Sequence, residues 1–193
     1  MKKLTFILSF LILPLAVFAQ DTWVEDPAHS RLGFTVTHLG IADVPGHFGD
    51  YSVTIKASEE DFSDAQIELT VQTASVDTRV QMRDDHLRSP DFFDVEEYPT
   101  MTFKSTGIKE IADNEYELTG DLTLYGITKP TTVTLLHRGT IENPMADGAP
   151  VAGIQITGTI DRREFNLGND FPPPMISNEV RIKADGEFQL ANQ

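Results

Sequence analysis

The 193-residue sequence contains no cysteine. Disulfide bonds are therefore excluded, and the folded chain must depend on packing and hydrogen bonds for its stability. The thiol that a bacterial lipoprotein acylates is also missing, so we expect no lipid anchor. Neither a cysteine nucleophile nor a CxxC metal motif can occur.

Positive charge is scarce. Lysine and arginine number 15 against 30 aspartates and glutamates, which gives a formal net charge of −15. Such a chain repels phosphate backbones and anionic membrane surfaces, which argues against nucleic-acid binding. The same charge does not exclude an apolar ligand in a shielded interior.

Motifs for catalysis and cofactor binding are also absent. The sequence has no G-x-S-x-G, no HExxH, no phosphate loop and no dinucleotide fingerprint. His29, His38 and His47 are nine residues apart, a spacing that fits neither a helical step nor a close strand pair. We therefore predict no metal site, no cofactor and no enzymatic activity. A metal-dependent enzyme that uses one of these histidines is kept as an alternative.

One long apolar run is present, and it lies at the N-terminus. Lys2 and Lys3 precede the run Leu4–Val17, and the small residue Ala19 follows. This layout is typical of a secretory signal peptide cleaved after Ala19. A transmembrane anchor is the alternative, but the run is short for a span and Pro14 interrupts it. We predict a periplasmic or secreted protein.

Cleavage would leave residues 20–193 as one domain. Loss of Lys2 and Lys3 would take the formal charge from −15 to −17. A chain of this size can bury a sizeable core, so no second domain is needed.

Most of residues 20–193 alternate between apolar and polar side chains. Leu32, Phe34 and Val36 alternate with small or polar residues, and so do Ile67, Leu69 and Val71. Alternation of this kind predicts strands with one face in a core and the other in water. We expect seven to nine antiparallel strands in a sandwich or a barrel.

The segment Asp77–Pro99 breaks this alternation and is rich in charge. We predict a short helix near Arg83–Leu87 and a further helical turn near Pro90–Val95. A long insertion in a compact β domain is often a lid or a mouth. Phe92 and Phe93 could equally plug one barrel end, and both interpretations stay open.

Two features of the predicted interior have alternative interpretations. His38 continues the inward phase of its strand, so it is either a polar group at a cavity mouth or a hydrogen-bonded structural histidine. The chain has twelve phenylalanines, which either fill the barrel or line a cavity in it.

Several motifs resemble the YceI-like proteins, in order along the chain. They are Trp23–Ser30 with Phe34, His38 and Gly46-His47-Phe48; Ser75–Thr78 with Arg83–Asp94, Pro99, Phe103 and Ser105; Gly120–Thr123 with Gly126–Pro130; Asp161–Phe165; and the closing strand from Ser177. The resemblance implies an exported, lipocalin-like barrel of eight antiparallel strands with a deep apolar tunnel and a short helical insertion around residues 80–97. It implies binding of polyisoprenoids or other long-chain amphiphilic lipids, and no enzymatic activity. We expect variation in the loop Asn166–Met175.

The resemblance and the strand phase together suggest a ligand site. We expect the apolar tunnel to be lined by Leu32, Phe34, Val36, Val53, Leu69, Val71, Phe103, Leu122 and Ile182. Candidates for a head group at the mouth are His38, Arg83, His86 and Arg88, since arginine can pair with a phosphate. A ligand-free structural or stress-related barrel with a filled core is the alternative, and a homodimer stays open.

Overall fold

A computed structural model describes residues 20–191. The predicted signal peptide lies outside the described residues. Within residues 20–191, no helix has the length and apolar character needed to cross a bilayer.

The described chain is built almost entirely of β-strands. The eleven strands are β1 (Asp21–Glu25), β2 (Arg31–His38), β3 (Ala42–Phe48), β4 (Tyr51–Ala57), β5 (Gln66–Gln72), β6 (Val76–Asp77), β7 (Thr100–Ala112), β8 (Glu115–Leu124), β9 (Ile127–Glu142), β10 (Pro150–Asp161) and β11 (Glu179–Leu190). One α-helix, α1 (Gln81–Arg88), follows β6, and short 3₁₀ turns cover Thr73–Ser75 and Arg162–Phe165.

Alternation in the sequence becomes alternation of burial in the strands. In β8, five buried residues from Tyr116 to Leu124 alternate with five more exposed ones. Apolar side chains are thus removed from water on one face only, as expected for a sheet with one wet side. In β8, strand phase therefore locates the interior correctly.

Eight of these strands close into an antiparallel barrel, in the order β1-β4-β5-β7-β8-β9-β10-β11. Closure comes from β1, where Trp23 lies opposite Ile55 of β4 on one side and Leu190 of β11 on the other. A closed barrel leaves no free sheet edge among its own strands. The predicted eight-stranded, lipocalin-like barrel is confirmed.

Three further strands extend the sheet and make the total larger than the predicted seven to nine. β11 pairs with β2 over Arg181–Asp185 and with β1 over Phe188–Leu190. The wall therefore divides between these two stretches of β11. From this division β2, β3 and β6 run on as a flap that leads into α1.

The helical insertion is shorter than the sequence predicts. α1 includes the predicted Arg83–Leu87, but the predicted helical turn at Pro90–Val95 is wrong. Ser89 precedes a proline and adopts an extended conformation (φ −72°, ψ 170°), which ends the helix. Successive turns follow, with Asp94 at a positive φ of 44°.

One end of the barrel is filled by the β4–β5 loop. The Phe62 ring packs on Trp23 and His137, with ring centroids 5.3 and 4.8 Å apart. The hydroxyl of Tyr116 donates a hydrogen bond to the carbonyl of Asp61 at 3.0 Å. Phenylalanine thus fills the barrel at this end, and open space lies farther along.

Candidate functional site

The barrel interior contains two adjoining cavities. The first, called the core chamber, has a volume of about 140 Å³ and lies among the barrel strands. The second, the helix chamber, has a volume of about 350 Å³ and is bounded on one side by α1. Five side chains line both cavities and form a waist between them: Phe34, Phe48, Met101, Ile160 and Ile182. The two chambers are therefore adjacent and share apolar walls, and together they are called the apolar path.

The residues predicted for the apolar tunnel follow this path. The core chamber is lined by Leu32, Phe34, Val53, Leu69, Phe103, Leu122 and Ile182, and the helix chamber by Val36 together with Phe34 and Ile182. Val71 is the exception, because it is fully buried in the core between its strand partners Tyr51 and Met101. That these side chains bind a ligand stays a prediction.

Polar groups line the core chamber near the place where the wall divides. They include Glu25 at the end of β1, Arg31 at the start of β2, and Asp185 of β11. The carboxylate of Glu25 accepts a hydrogen bond from the amide of Val53 at 2.9 Å. This side of the core chamber thus carries two carboxylates and one guanidinium.

Arg83 lines the helix chamber from α1. Its Nε donates to the Thr78 hydroxyl at 2.7 Å and its Nη2 to the Thr78 carbonyl at 2.8 Å. The buried carboxylate of Asp84 accepts hydrogen bonds from the amide and the hydroxyl of Thr78. Burial of a charged group requires such partners, and the network fixes Arg83 at the chamber wall.

The two predicted histidines lie at different parts of the helix chamber. His86 has its Nε2 at 2.9 Å from a carboxylate oxygen of Asp91, and its ring packs edge-on against Phe92 and Phe171. His38 lies at the end of β2, where its backbone bridges to Ile176, and its side chain is exposed. His38 is therefore at the rim of the chamber rather than inside it.

Arg88 has a different position from the other three head-group candidates. Its Nε donates to the carbonyl of Ala74 and its Nη2 to that of Val76, both at 2.8 Å. It does not belong to the lining of either chamber. In the structure Arg88 ties α1 to the segment before it.

Phe92 and Phe93 form part of the helix-chamber wall. The Phe92 ring stacks on Phe171 with centroids 4.9 Å apart, and Phe93 meets Phe48 edge-on at 5.6 Å. Gly168, at φ +63°, allows this packing, because a β-carbon there would contact the Phe92 ring. Both phenylalanines are more than nine-tenths buried. They are fixed wall residues of this chamber.

The residue that sequence reasoning missed is Arg162. It is only 3% exposed, and it lines the helix chamber. Its five N–H donors meet five backbone carbonyls, those of Leu167, Gly168, Phe171, Ile176 and Ser177. Burial lowers the pKa of this guanidinium from its ordinary value. Its place in the motif Asp161–Phe165 was the only feature of the sequence that could have pointed to it.

The three evenly spaced histidines do not converge. His47 lies opposite Gly33 and His38 opposite Ala42, so about five strand residues, or roughly 16 Å, separate them. His29 lies instead near Asp26 and Glu187, at 2.9 and 3.8 Å, in an exposed group of three possible metal ligands. The hydrogen bond with Asp26 raises the pKa of His29. No common metal site forms from these three histidines.

A closed antiparallel barrel with apolar cavities inside it is a binding-protein fold. The YceI-like domain model matches residues 23–188. The chain belongs to the YceI-like family.

Relatives and solved structures agree with this assignment. A UPF0312 protein of Staphylococcus aureus (strain USA300) is 35% identical over 170 residues, which are 86% of this chain and 96% of that protein. Burkholderia cenocepacia BcnA superposes with a TM-score of 0.75 at 26% identity, covering 84% of this chain and 98% of BcnA. The YCEI protein of Campylobacter jejuni gives 0.73 at 29% identity, covering 81% and 90%.

A more distant structure shares the fold. It is a polyisoprenoid binding domain from Saccharophagus degradans, implicated in plant cell wall breakdown. It superposes with a TM-score of 0.67 at 15% identity, covering 89% of this chain and 99% of that domain.

Proposed function

We propose that the protein is a carrier that encloses one long-chain amphiphilic lipid, either a polyisoprenoid or a fatty-acyl molecule. The observation that supports this proposal is the apolar path through the core chamber, the waist and the helix chamber. A path of this shape suits a chain-like ligand rather than a compact one. The ligand would supply the van der Waals contacts that the side chains of the cavity walls lack.

Apolar burial supplies the binding free energy. Each buried methylene contributes about 0.8 kcal/mol, so a long tail gains enough to offset the cost of being ordered. The phase of β8, which sets five buried residues toward the interior, shows how the strands provide such a surface. The polyisoprenoid described for the Saccharophagus degradans domain is a ligand of this kind.

Export is the second part of the proposal. Residues 1–19 have the order of charge, apolar run and small residue that signal peptides have. A carrier outside the cytoplasm could move a lipid through water without an anchor. Periplasmic fractionation of the full chain, with N-terminal sequencing of the product, tests cleavage after Ala19. A product that keeps Lys2 and Lys3 in the cytoplasm contradicts it.

Lipid binding is tested on the purified protein. We expect mass spectrometry of an organic extract to find a long-chain lipid, and a fluorescent fatty acid to bind with a blue-shifted emission. Val53→Phe places a larger side chain in the core chamber and should weaken binding about tenfold or more, because overpacking removes the space for the tail.

Val24→Phe is the matched control, because Val24 lies on the exposed face of β1. It should bind the fluorescent lipid as the parent protein does. If neither extraction nor titration detects a long-chain ligand, the barrel is a ligand-free domain and the carrier proposal is wrong.

A further inference from the structure

The charges at the two chambers differ in sign. The helix chamber is lined by two guanidinium groups, those of Arg83 and Arg162, and among the described residues its lining contains no aspartate or glutamate. The chain as a whole has twice as many acidic as basic residues. The core chamber instead has two carboxylates in its lining, Glu25 and Asp185, against one guanidinium, that of Arg31. Positive charge is therefore concentrated at one end of the apolar path.

Arg83 has hydrogen-bonding capacity to spare. Thr78 accepts one bond from its Nε and one from its Nη2, which leaves both protons of Nη1 and the second proton of Nη2. Among residues 20–191, no carboxylate forms an ion pair within 4.0 Å of this guanidinium, and the nearby Asp84 reaches it only through the shared Thr78 hydroxyl. Arg83 can thus form the paired hydrogen bonds that arginine makes with oxyanions.

Arg162 contributes charge without free donors. All five of its N–H groups are used by backbone carbonyls, so it cannot bond to a ligand directly. Carbonyl groups are dipoles and leave the formal charge in place. In a buried, weakly screened setting this charge favours an anion in the chamber beside it.

We propose that the ligand is an acidic amphiphile whose carboxylate or phosphate head group lies in the helix chamber against Arg83. Arg162 adds a positive potential there, and the tail passes the waist into the core chamber. The inference rests on the proposed lipid binding and adds the chemical class and the orientation of the ligand. The opposite orientation would place the anion where two carboxylates, Glu25 and Asp185, outnumber the single guanidinium of Arg31, so the net charge there disfavours it.

The test compares head groups on one tail. A straight-chain carboxylic acid, the alkyl phosphate and the alcohol of equal chain length compete with a fluorescent probe on the purified protein. We expect the acid and the phosphate to bind about tenfold tighter than the alcohol, the scale of one charge-assisted contact. Inorganic phosphate alone should displace nothing at the same concentration, because the tail supplies most of the affinity.

Variants identify the arginine. Arg83→Gln should remove the preference for the acid and leave the alcohol unchanged, and Arg83→Lys should restore part of the preference. Arg163→Gln is the matched control, since Arg163 is exposed, lies next to Arg162 and loses the same charge. It should keep the full preference.

The outcomes separate the two proposals. If the alcohol binds as tightly as the acid, the acidic head group is wrong while lipid binding stands. If no amphiphile binds, the proposed function itself fails. Displacement by inorganic phosphate alone would point to a free anion site and also overturn the inference. If Arg83→Gln fails to fold, the comparison of the acid with the alcohol on the parent protein still tests whether the site prefers an acidic head group.

Discussion

At the scale of single residues, Arg162 organises a loop through hydrogen bonds. Its guanidinium joins the carbonyls of Leu167, Gly168, Phe171, Ile176 and Ser177, which come from the long connection between β10 and β11. The Gly168 carbonyl also accepts from the amide of Phe171, whereas the other four depend on Arg162, and each orphaned polar group costs about 1–3 kcal/mol. One side chain thus replaces regular secondary structure in this connection.

Arg162→Gln is predicted to destabilise the protein by about 3 kcal/mol or more, because an amide cannot serve five acceptors and the charge-assisted bonds are lost. Urea unfolding followed by circular dichroism measures the change. Arg163→Gln, on the exposed neighbour, should stay within about 0.5 kcal/mol of the parent. Equal stabilities for the two variants would contradict this role for Arg162.

His137 makes a pH-dependent contribution to stability. It is 6% exposed, its Nε2 lies 3.1 Å from the Thr140 hydroxyl, and burial lowers its pKa. Below the ordinary histidine pKa of about 6.5, His137 therefore binds a proton more readily in the unfolded chain than in the folded one. The contribution is fully present above that pH and is lost as the pH falls below it.

His137→Phe is predicted to reduce the fall in Tm on going from about pH 7.5 to about pH 5.5, because phenylalanine does not titrate. Differential scanning calorimetry at both pH values measures the fall. His29→Phe is the control, and it should instead increase the fall in Tm. Asp26 raises the pKa of His29 and favours its protonated form in the folded protein. An unchanged fall in His137→Phe would contradict the prediction.

At the scale of elements, the strands make room for interior rings with glycine. A β-carbon at Gly120 of β8 would collide with the Phe103 ring of β7, and one at Gly46 of β3 with the Phe34 ring of β2. Each glycine thus leaves room for a ring from the neighbouring strand. Both rings also line the chambers, so these small residues help to shape the apolar path.

Gly120→Ala is therefore predicted to destabilise the barrel by about 1–3 kcal/mol, since the added methyl displaces the Phe103 ring and approaches the Lys104 carbonyl at 2.6 Å. Chemical denaturation checks the value. Gly49→Ala is the control, because its added methyl would meet nothing closer than the Ser75 carbonyl at 3.9 Å. If both variants unfold at the same urea concentration, Gly120 is not needed for space.

At the scale of the molecule, strand phase predicted most of the interior. A period of two is a local property, so it correctly placed residues such as Leu122 on the inner face of β8. It could not show that Val71 lies away from the cavity, because that depends on side chains from distant strands. The helix near Arg83–Leu87 was also predictable, whereas the turns after Ser89 depend on backbone bonds that no short pattern reveals.

The charged part of the site was harder to predict for the same reason. Arg83, Arg88 and Arg162 look alike in the sequence. The structure gives each a different environment: Arg83 faces the helix chamber, Arg88 holds the segment before α1, and Arg162 holds the β10–β11 connection. Their roles depend on which carbonyls and hydroxyls the folded loops bring to each guanidinium, from partners 5 to 15 residues away in the sequence. The division of β11 between β1 and β2 is likewise a long-range pairing that turn signals do not encode.

The pairing of Trp23 with Leu190 joins the first strand of the described residues to the last one. Until β11 leaves the ribosome, β1 has only β4 beside it. The apolar inner faces of the other strands are then not yet enclosed by a closed barrel wall. The proposed lipid would therefore find its enclosed cavity only after β11 has been made.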